Sequence, residues 1–154
     1  MNLTLRPAEA ADRDLLFRIY ASTREDELAL TDWDDEQKRA FLTQQFTAQD
    51  AHYRTHYPGA VFGLIVLDGD PVGRLYVHRR PDEIRIMDIA LLPPQRNRGI
   101  ATALLRDLQT EAAASSKPLT IHVEQFNPAF RLYTRLGFRP IAEHGVYLLM
   151  EWRP

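Results

Sequence analysis

Arg96-Asn97-Arg98-Gly99 places two guanidiniums, an amide and a glycine directly before an amphipathic run that opens at Ile100. Across this loop the apolar period changes. Glu83 to Leu92 is continuous or alternating, as in a strand, whereas Ile100, Leu104, Leu108 and Ala112 recur one turn apart, as in a helix. A helix start presents backbone N–H groups without intrahelical partners, and the helix dipole favours negative charge beside them. With arginines alongside and a glycine that allows close approach, the stretch is an anion site, and its expected ligand is phosphorylated. It lacks the Lys-Ser/Thr of a Walker loop and the GxGxxG of a dinucleotide fold, so those two nucleotide loops fit poorly.

Length and composition bound what such a site can belong to. The 154 residues suit one domain, and 45% apolar with 26% charged residues is ordinary for a globular protein. A net charge of −2 argues against a general nucleic-acid or membrane-surface role, which needs a basic field. With no cysteine there is no disulfide, thiolate metal site or cysteine nucleophile. No metal site is expected. The start, Met1 to Pro7, has no basic segment followed by an apolar run, and nothing approaches a membrane span. The expected location is cytoplasmic.

The elements that must hold the loop follow from the same patterns. Asn2 to Arg6 alternates as a first strand ended by Pro7, and Asp12 is placed to cap a helix to about Ala21, with Leu15, Leu16, Ile19 and Tyr20 buried. Ser22 to Trp33 reads as acidic and irregular. Asp34 with Gln37 forms a capping box for a longer helix whose stripe is Leu42, Phe46, Tyr53 and Tyr57, stopped by Pro58-Gly59. A hairpin follows, Val61 to Leu67 and Val72 to Val77 about a turn at Asp68 to Pro71, and a second turn at Arg79 to Asp82 leads into the central strand. Beyond the loop helix come a strand at Leu119 to Glu124, a short helix from Asn127-Pro128 to about Leu136 closed by Gly137, and strands at Phe138 to Ala142 and Val146 to Trp152. The expected class is α+β: one domain over residues 1–154, mostly hairpins with one strand–helix–strand crossover.

Two segments carry a family resemblance. Arg96-x-x-Gly99-x-Ala101 is similar to the pyrophosphate-binding motif of the GNAT N-acetyltransferases, Gln/Arg-x-x-Gly-x-Gly/Ala. Asn127-Pro128-Ala129-Phe130-Arg131-Leu132-Tyr133 to Gly137-Phe138 resembles the family's Asn-x-x-Ala-x-x-Leu-Tyr-x-x-x-Gly-Phe, one residue shorter between Asn and Tyr. The order of elements resembles the family's over essentially the whole chain. The resemblance implies a single GNAT-like domain with a three-layer α/β arrangement, a mixed sheet of about seven strands that splays between the fourth and fifth, and four helices.

It also implies acetyl-CoA as the acyl donor, with CoA as product. Ile89, Ala90 and Leu91 would pair with the pantetheine arm. The amides of Asn97, Arg98, Gly99, Ile100, Ala101 and Thr102 would hold the pyrophosphate, with charge from Arg96 and Arg98. Asn127 would bond the pantetheine or acetyl end. Tyr133 matches the family's usual general acid, a phenol mostly protonated at neutral pH. The motif strand has Arg85 and Met87 where several members carry a base, and Asp88 alternates to the opposite face. His122 on the next strand is the candidate base, sharing a face with Thr120 and Glu124, and Glu124 could set its tautomer.

The implied reaction is transfer of the acetyl group to a primary amine of a small molecule or peptide by direct attack in a ternary complex. The alternative is a non-catalytic acyl-CoA-binding module that acts as a sensor or interaction protein. Substrate-binding candidates are Tyr20, Arg24, Glu27, Trp33 and Glu124, with Glu25, Gln45 and Tyr53 beside them. Carboxylates here would favour a cationic amine and Arg24 a carboxylate-bearing one. A homodimer is a further expectation; neither a nucleic-acid nor a membrane partner is expected.

Overall fold

The computed structural model describes residues 2–154. Seven strands form one mixed sheet: β1 (Leu3–Pro7), β2 (Val61–Leu67), β3 (Asp70–Arg79), β4 (Ile84–Leu91), β5 (Leu119–Glu124), β6 (Arg139–His144) and β7 (Tyr147–Trp152). Their order across the sheet is β1-β2-β3-β4-β5-β7-β6. Five α-helices accompany them: α1 (Arg13–Ser22), α2 (Glu25–Ala29), α3 (Asp35–His56), α4 (Ile100–Ala114) and α5 (Ala129–Arg135). Packing divides the chain into two compact units, residues 1–74 with 90–96 and residues 75–89 with 97–154; β3 and β4 run through both.

In the first unit β1 pairs antiparallel with β2, from Leu3↔Leu67 to Pro7↔Gly63, and α1 packs on α3. Phe46 is the buried residue of α3, its ring 5.7 Å from Phe17 and 5.9 Å from Tyr20. The expected Asp34–Gln37 capping box is present, with reciprocal bonds of 2.8 and 2.9 Å. Leu42, Tyr53 and Tyr57, expected on the buried stripe, are only half-buried. Asp12 precedes α1, but its carboxylate is taken by Arg6 (2.8 and 2.9 Å) and by the Glu9 amide (2.7 Å) rather than by the helix. These donors hold it down to about 2.

Three expectations need correcting. The segment after Ser22 is not irregular throughout. Glu25–Ala29 is a helical turn with acids in its first turn, where the dipole favours them, a short helix in addition to the four expected. The hairpin turn is two residues, Asp68 and Gly69, both at positive φ (51° and 88°), so β3 begins at Asp70 and includes Pro71. The sixth strand runs from Arg139 to His144, and Phe138 just before it is buried with its ring against Tyr133.

In the second unit β5 pairs antiparallel with β7, and β7 with β6. α4 and α5 pack on β5. Ile100, Leu104, Leu105, Leu108 and Ala112 of α4 are buried together with Leu119, Ile121 and Val123, while His122 and Glu124 of the same strand are exposed. That alternation leaves one face of β5 to the helices and the other to polar side chains.

Candidate active site

Parallel β4 and β5 are in register over three pairs only: Ile84↔Leu119, Arg85↔Thr120 and Ile86↔Ile121. β4 continues five residues further and β5 three, so the strands part after Ile86. Met87, Asp88 and Ile89, next along β4, are half-buried between fully buried flanks. On its other edge β4 remains attached, the Leu92 amide donating to Val72 at 2.9 Å.

Gly73 makes that attachment close. A Cβ there would fall on the Ala90 carbonyl oxygen and lie 2.9 Å from Leu91 Cδ2. Only glycine lets β3 approach the Ala90-Leu91 backbone this way. The isolated glycine between Val72 and Arg74 was the available sequence signal.

The loop after β4 forms a 3-10 turn at Pro93–Gln95 and then delivers Gly99 as the residue before α4, at φ 83°. Nothing lies within 4 Å of a Cβ placed on Gly99, so the N-terminus of α4 is open to a ligand from that side. Arg96, expected as a source of charge, also braces the loop. Its Nε donates to the Leu91 carbonyl at 3.0 Å, and Nη2 to the Ser22 carbonyl and hydroxyl at 3.3 and 3.4 Å. Asn97 sits at φ 61°, a left-handed conformation that asparagine tolerates better than most residues.

Tyr133 lies on α5, 4% exposed, with its ring 5.7 Å from Phe138. Burial, and then the negative charge of Asp88, push its phenol well above the ordinary tyrosine value. Asp88 therefore belongs to the face that meets α5, two residues beyond the last β4–β5 pair. Asn127 turns its side chain back to the chain, Oδ1 accepting from the Ala129 amide at 2.9 Å to start α5.

His122 is on the opposite face, one residue beyond the same pair. Its Nδ1 is 3.3 Å from Arg85 Nη1, and its ring is 5.7 Å from His144. Although the residue as a whole is exposed, partial desolvation of its ring, then the Arg85 charge and His144, lower its pKa. The partner at Nδ1 is thus Arg85, where Glu124 was expected. α5, which carries Tyr133, packs on β5, and His122 lies on the face of that strand away from its buried residues.

The substrate candidates are only partly brought together. Tyr20 is buried, with Arg74 and Arg24 over its ring at 5.7 and 5.9 Å, and its hydroxyl accepts from Arg24 at 3.3 Å. Arg24 is paired with Glu27 at 3.0 Å. Trp33 packs instead on Phe41 at 5.3 Å, and Glu124 belongs to the other unit. Arg74, 2% exposed and bonded to Gln49 at 2.9 Å, was not expected, although a charge inside the apolar run Val72 to Val77 is an audible signal. The first unit also holds a cavity of about 430 Å³ lined by none of these residues; Glu25, expected beside them, does line it, with Asp35, Arg18, Lys38, Arg39 and apolar groups such as Phe17.

The model of the acetyltransferase (GNAT) family matches residues 19–138. The chain belongs to that family. No curated relative matches the sequence. Among solved structures, it is similar to the PaiA N-acetyltransferase of Thermoplasma acidophilum in complex with coenzyme A, at 14% identity, covering all of both chains with a TM-score of 0.76. A GNAT acetyltransferase of Elizabethkingia anophelis with acetyl-CoA bound shares 20% identity, 99% of each chain and a TM-score of 0.61. The ribosomal-protein-S18-alanine N-acetyltransferase of Escherichia coli shares 18% identity, 99% of this chain and 94% of its own, with a TM-score of 0.65. At these identities the likeness is one of fold, and it includes the seven-stranded mixed sheet that parts between β4 and β5. Among the described residues, no helix is long and apolar enough to cross a membrane, and no group of three or more His, Asp or Glu side chains could hold a metal ion.

Proposed function

We propose that this GNAT protein transfers the acetyl group of acetyl-CoA to a primary amine of a small molecule or peptide, by direct attack in a ternary complex. The observation that carries this reading is the β4–β5 register that ends after three pairs and is followed along the chain by an open, glycine-led helix N-terminus. Ile89, Ala90 and Leu91 supply an edge to which an amide-bearing arm adds like a strand. The amides from Asn97 to Thr102 suit a pyrophosphate, with Arg98 adding charge and Arg96 holding the loop. The Asn127 Nδ2 group is the part of that side chain directed to the donor, since Oδ1 starts α5.

Acetyl-CoA supplies a thioester carbonyl carbon; the amine nitrogen bonds to it, the C–S bond breaks, and an amide and the CoA thiol result. The amine proton departs by water on the His122 side. Tyr133 donates a hydrogen bond to the sulfur on the other side. Because its phenol is pushed above the ordinary value while a thiol titrates near 8.5, full transfer from Tyr133 is uphill. Its role is to stabilise the thiolate as it forms, and solvent completes the protonation. The cavity of the first unit carries Arg18, Lys38 and Arg39 beside Glu25 and Asp35, a mixed lining that offers contacts to both signs of charge on a substrate.

Titration calorimetry with CoA tests the donor site. Gly99→Glu should abolish measurable binding through like-charge repulsion, while the left-handed φ of 83° forced on a glutamate costs about 1–2 kcal/mol and lowers the unfolding temperature by only a few degrees. Unchanged affinity would remove the donor assignment.

A further inference from the structure

Arg85 is the second residue of β4 and is 9% exposed. Its guanidinium meets three different groups. Nε donates to Thr120 Oγ1 at 2.7 Å, Nη2 to the Glu83 carboxylate at 2.9 Å, and Nη1 lies 3.3 Å from His122 Nδ1. A guanidinium has five N–H donors, no lone pair, and does not deprotonate in proteins. In that contact Nδ1 can therefore only accept. A neutral imidazole that accepts at Nδ1 carries its hydrogen on Nε2.

We infer that Arg85 is a positioning residue that fixes His122 in the Nε2–H tautomer, so that the free edge of the ring offers a donor and not a lone pair. Thr120 and Glu83 hold the guanidinium on two sides, and Glu83 is itself fixed by Arg80 at 3.0 Å, so the fork does not swing away from the histidine. A second proton would have to enter at Nδ1, against the guanidinium. His122 then serves as a hydrogen-bond donor to an oxygen at the gap, either of the amine substrate or of the water that carries the amine proton away. It does not take that proton itself. This consequence for the reaction rests on the acetyltransferase reading; the tautomer does not.

The other groups facing His122 do not reverse this. From its own strand comes Glu124, and from β6 His144, whose ring stands edge-on at 5.7 Å. β7 places Leu149 opposite His122, Tyr147 opposite Glu124, and Glu151 opposite Thr120. Glu151 is paired with Arg153 at 2.6 Å and Glu83 with Arg80 and Arg85, so both carboxylates are already engaged by guanidiniums.

Two-bond ¹⁵N–¹H correlation spectra of the histidine rings test the inference on the full chain without any substrate. The His122 signals are identified by their loss in His122→Asn. Wild type should show His122 as the Nε2–H tautomer, with a titration midpoint below the ordinary histidine value. In Arg85→Met the tautomers should mix and the midpoint rise, and Arg85→Lys, which keeps the charge but not the fork, should lie between. With an amine substrate, the acid limb of the kcat profile should not follow that midpoint, because a proton at Nδ1 leaves the Nε2–H donor in place; an acid limb that moves with it in Arg85→Met would overturn the donor role. An Nδ1–H ring in wild type would overturn the inference, as would a titration in Arg85→Met identical to wild type. If Arg85→Met does not fold, the wild-type tautomer decides. A protein that shows this tautomer yet acetylates no amine would refute the enzymatic reading and leave the role of Arg85 standing.

Discussion

Tyr133 shows why a residue's environment decides its role. At 4% exposure and near Asp88, its phenol keeps its proton over the whole neutral range. Tyr133→Phe should retain the fold, because ring packing on Phe138 is unchanged, and lower kcat about 10²-fold or more with KM for acetyl-CoA little altered. Steady-state kinetics check this; an unaltered kcat would remove Tyr133 from the reaction. The sign of its pH effect follows from the upward shift. Its contribution to stability is complete below about pH 10 and is lost as pH rises beyond that. His122 is shifted downward, so its contribution is complete above about pH 6.5 and is lost as pH falls. Chemical denaturation across pH should therefore show stability declining at both ends, with His122→Asn flattening the acid side.

At the scale of elements, β4 is held on one edge and released on the other. Gly73 permits the held edge, and Gly73→Ala should force the Ala90 carbonyl aside, costing about 1–3 kcal/mol and weakening CoA binding more than a surface change would. Thermal melts with and without CoA measure both effects; equal CoA-induced stabilisation in wild type and variant would contradict the role given to this edge. The elements themselves were largely legible. The change of period across Arg96–Gly99 located β4 and α4, and the Asp34–Gln37 pair marked the start of α3. What escaped was decided by partners distant in sequence. Asp12 was placed to cap α1, yet Arg6 and the Glu9 amide compete for its carboxylate. Glu124 was offered for His122, but the register of β4 on β5 brings Arg85 there instead. Spacing along one strand shows which residues share a face, and cross-strand register shows which of them touch.

For the molecule as a whole, charge contributes little to choosing a substrate, since the net value is −2. Local groups must decide. Arg24 and Glu27, which taken singly favour opposite substrates, are paired with each other. The cavity of the first unit is lined by Arg18, Lys38 and Arg39 together with Glu25 and Asp35, and its cations are hard to single out from sequence because exposed helical cations are common.

The most direct test of the central claim is release of free thiol from acetyl-CoA over a panel of polyamines, amino acids, aminoglycosides and N-terminal peptides. Wild type should turn over at least one amine class, with Tyr133→Phe reduced about 10²-fold or more and Gly99→Glu inactive. Tight CoA binding with thiol release at background for every amine would contradict an acetyltransferase and favour an acyl-CoA-binding module.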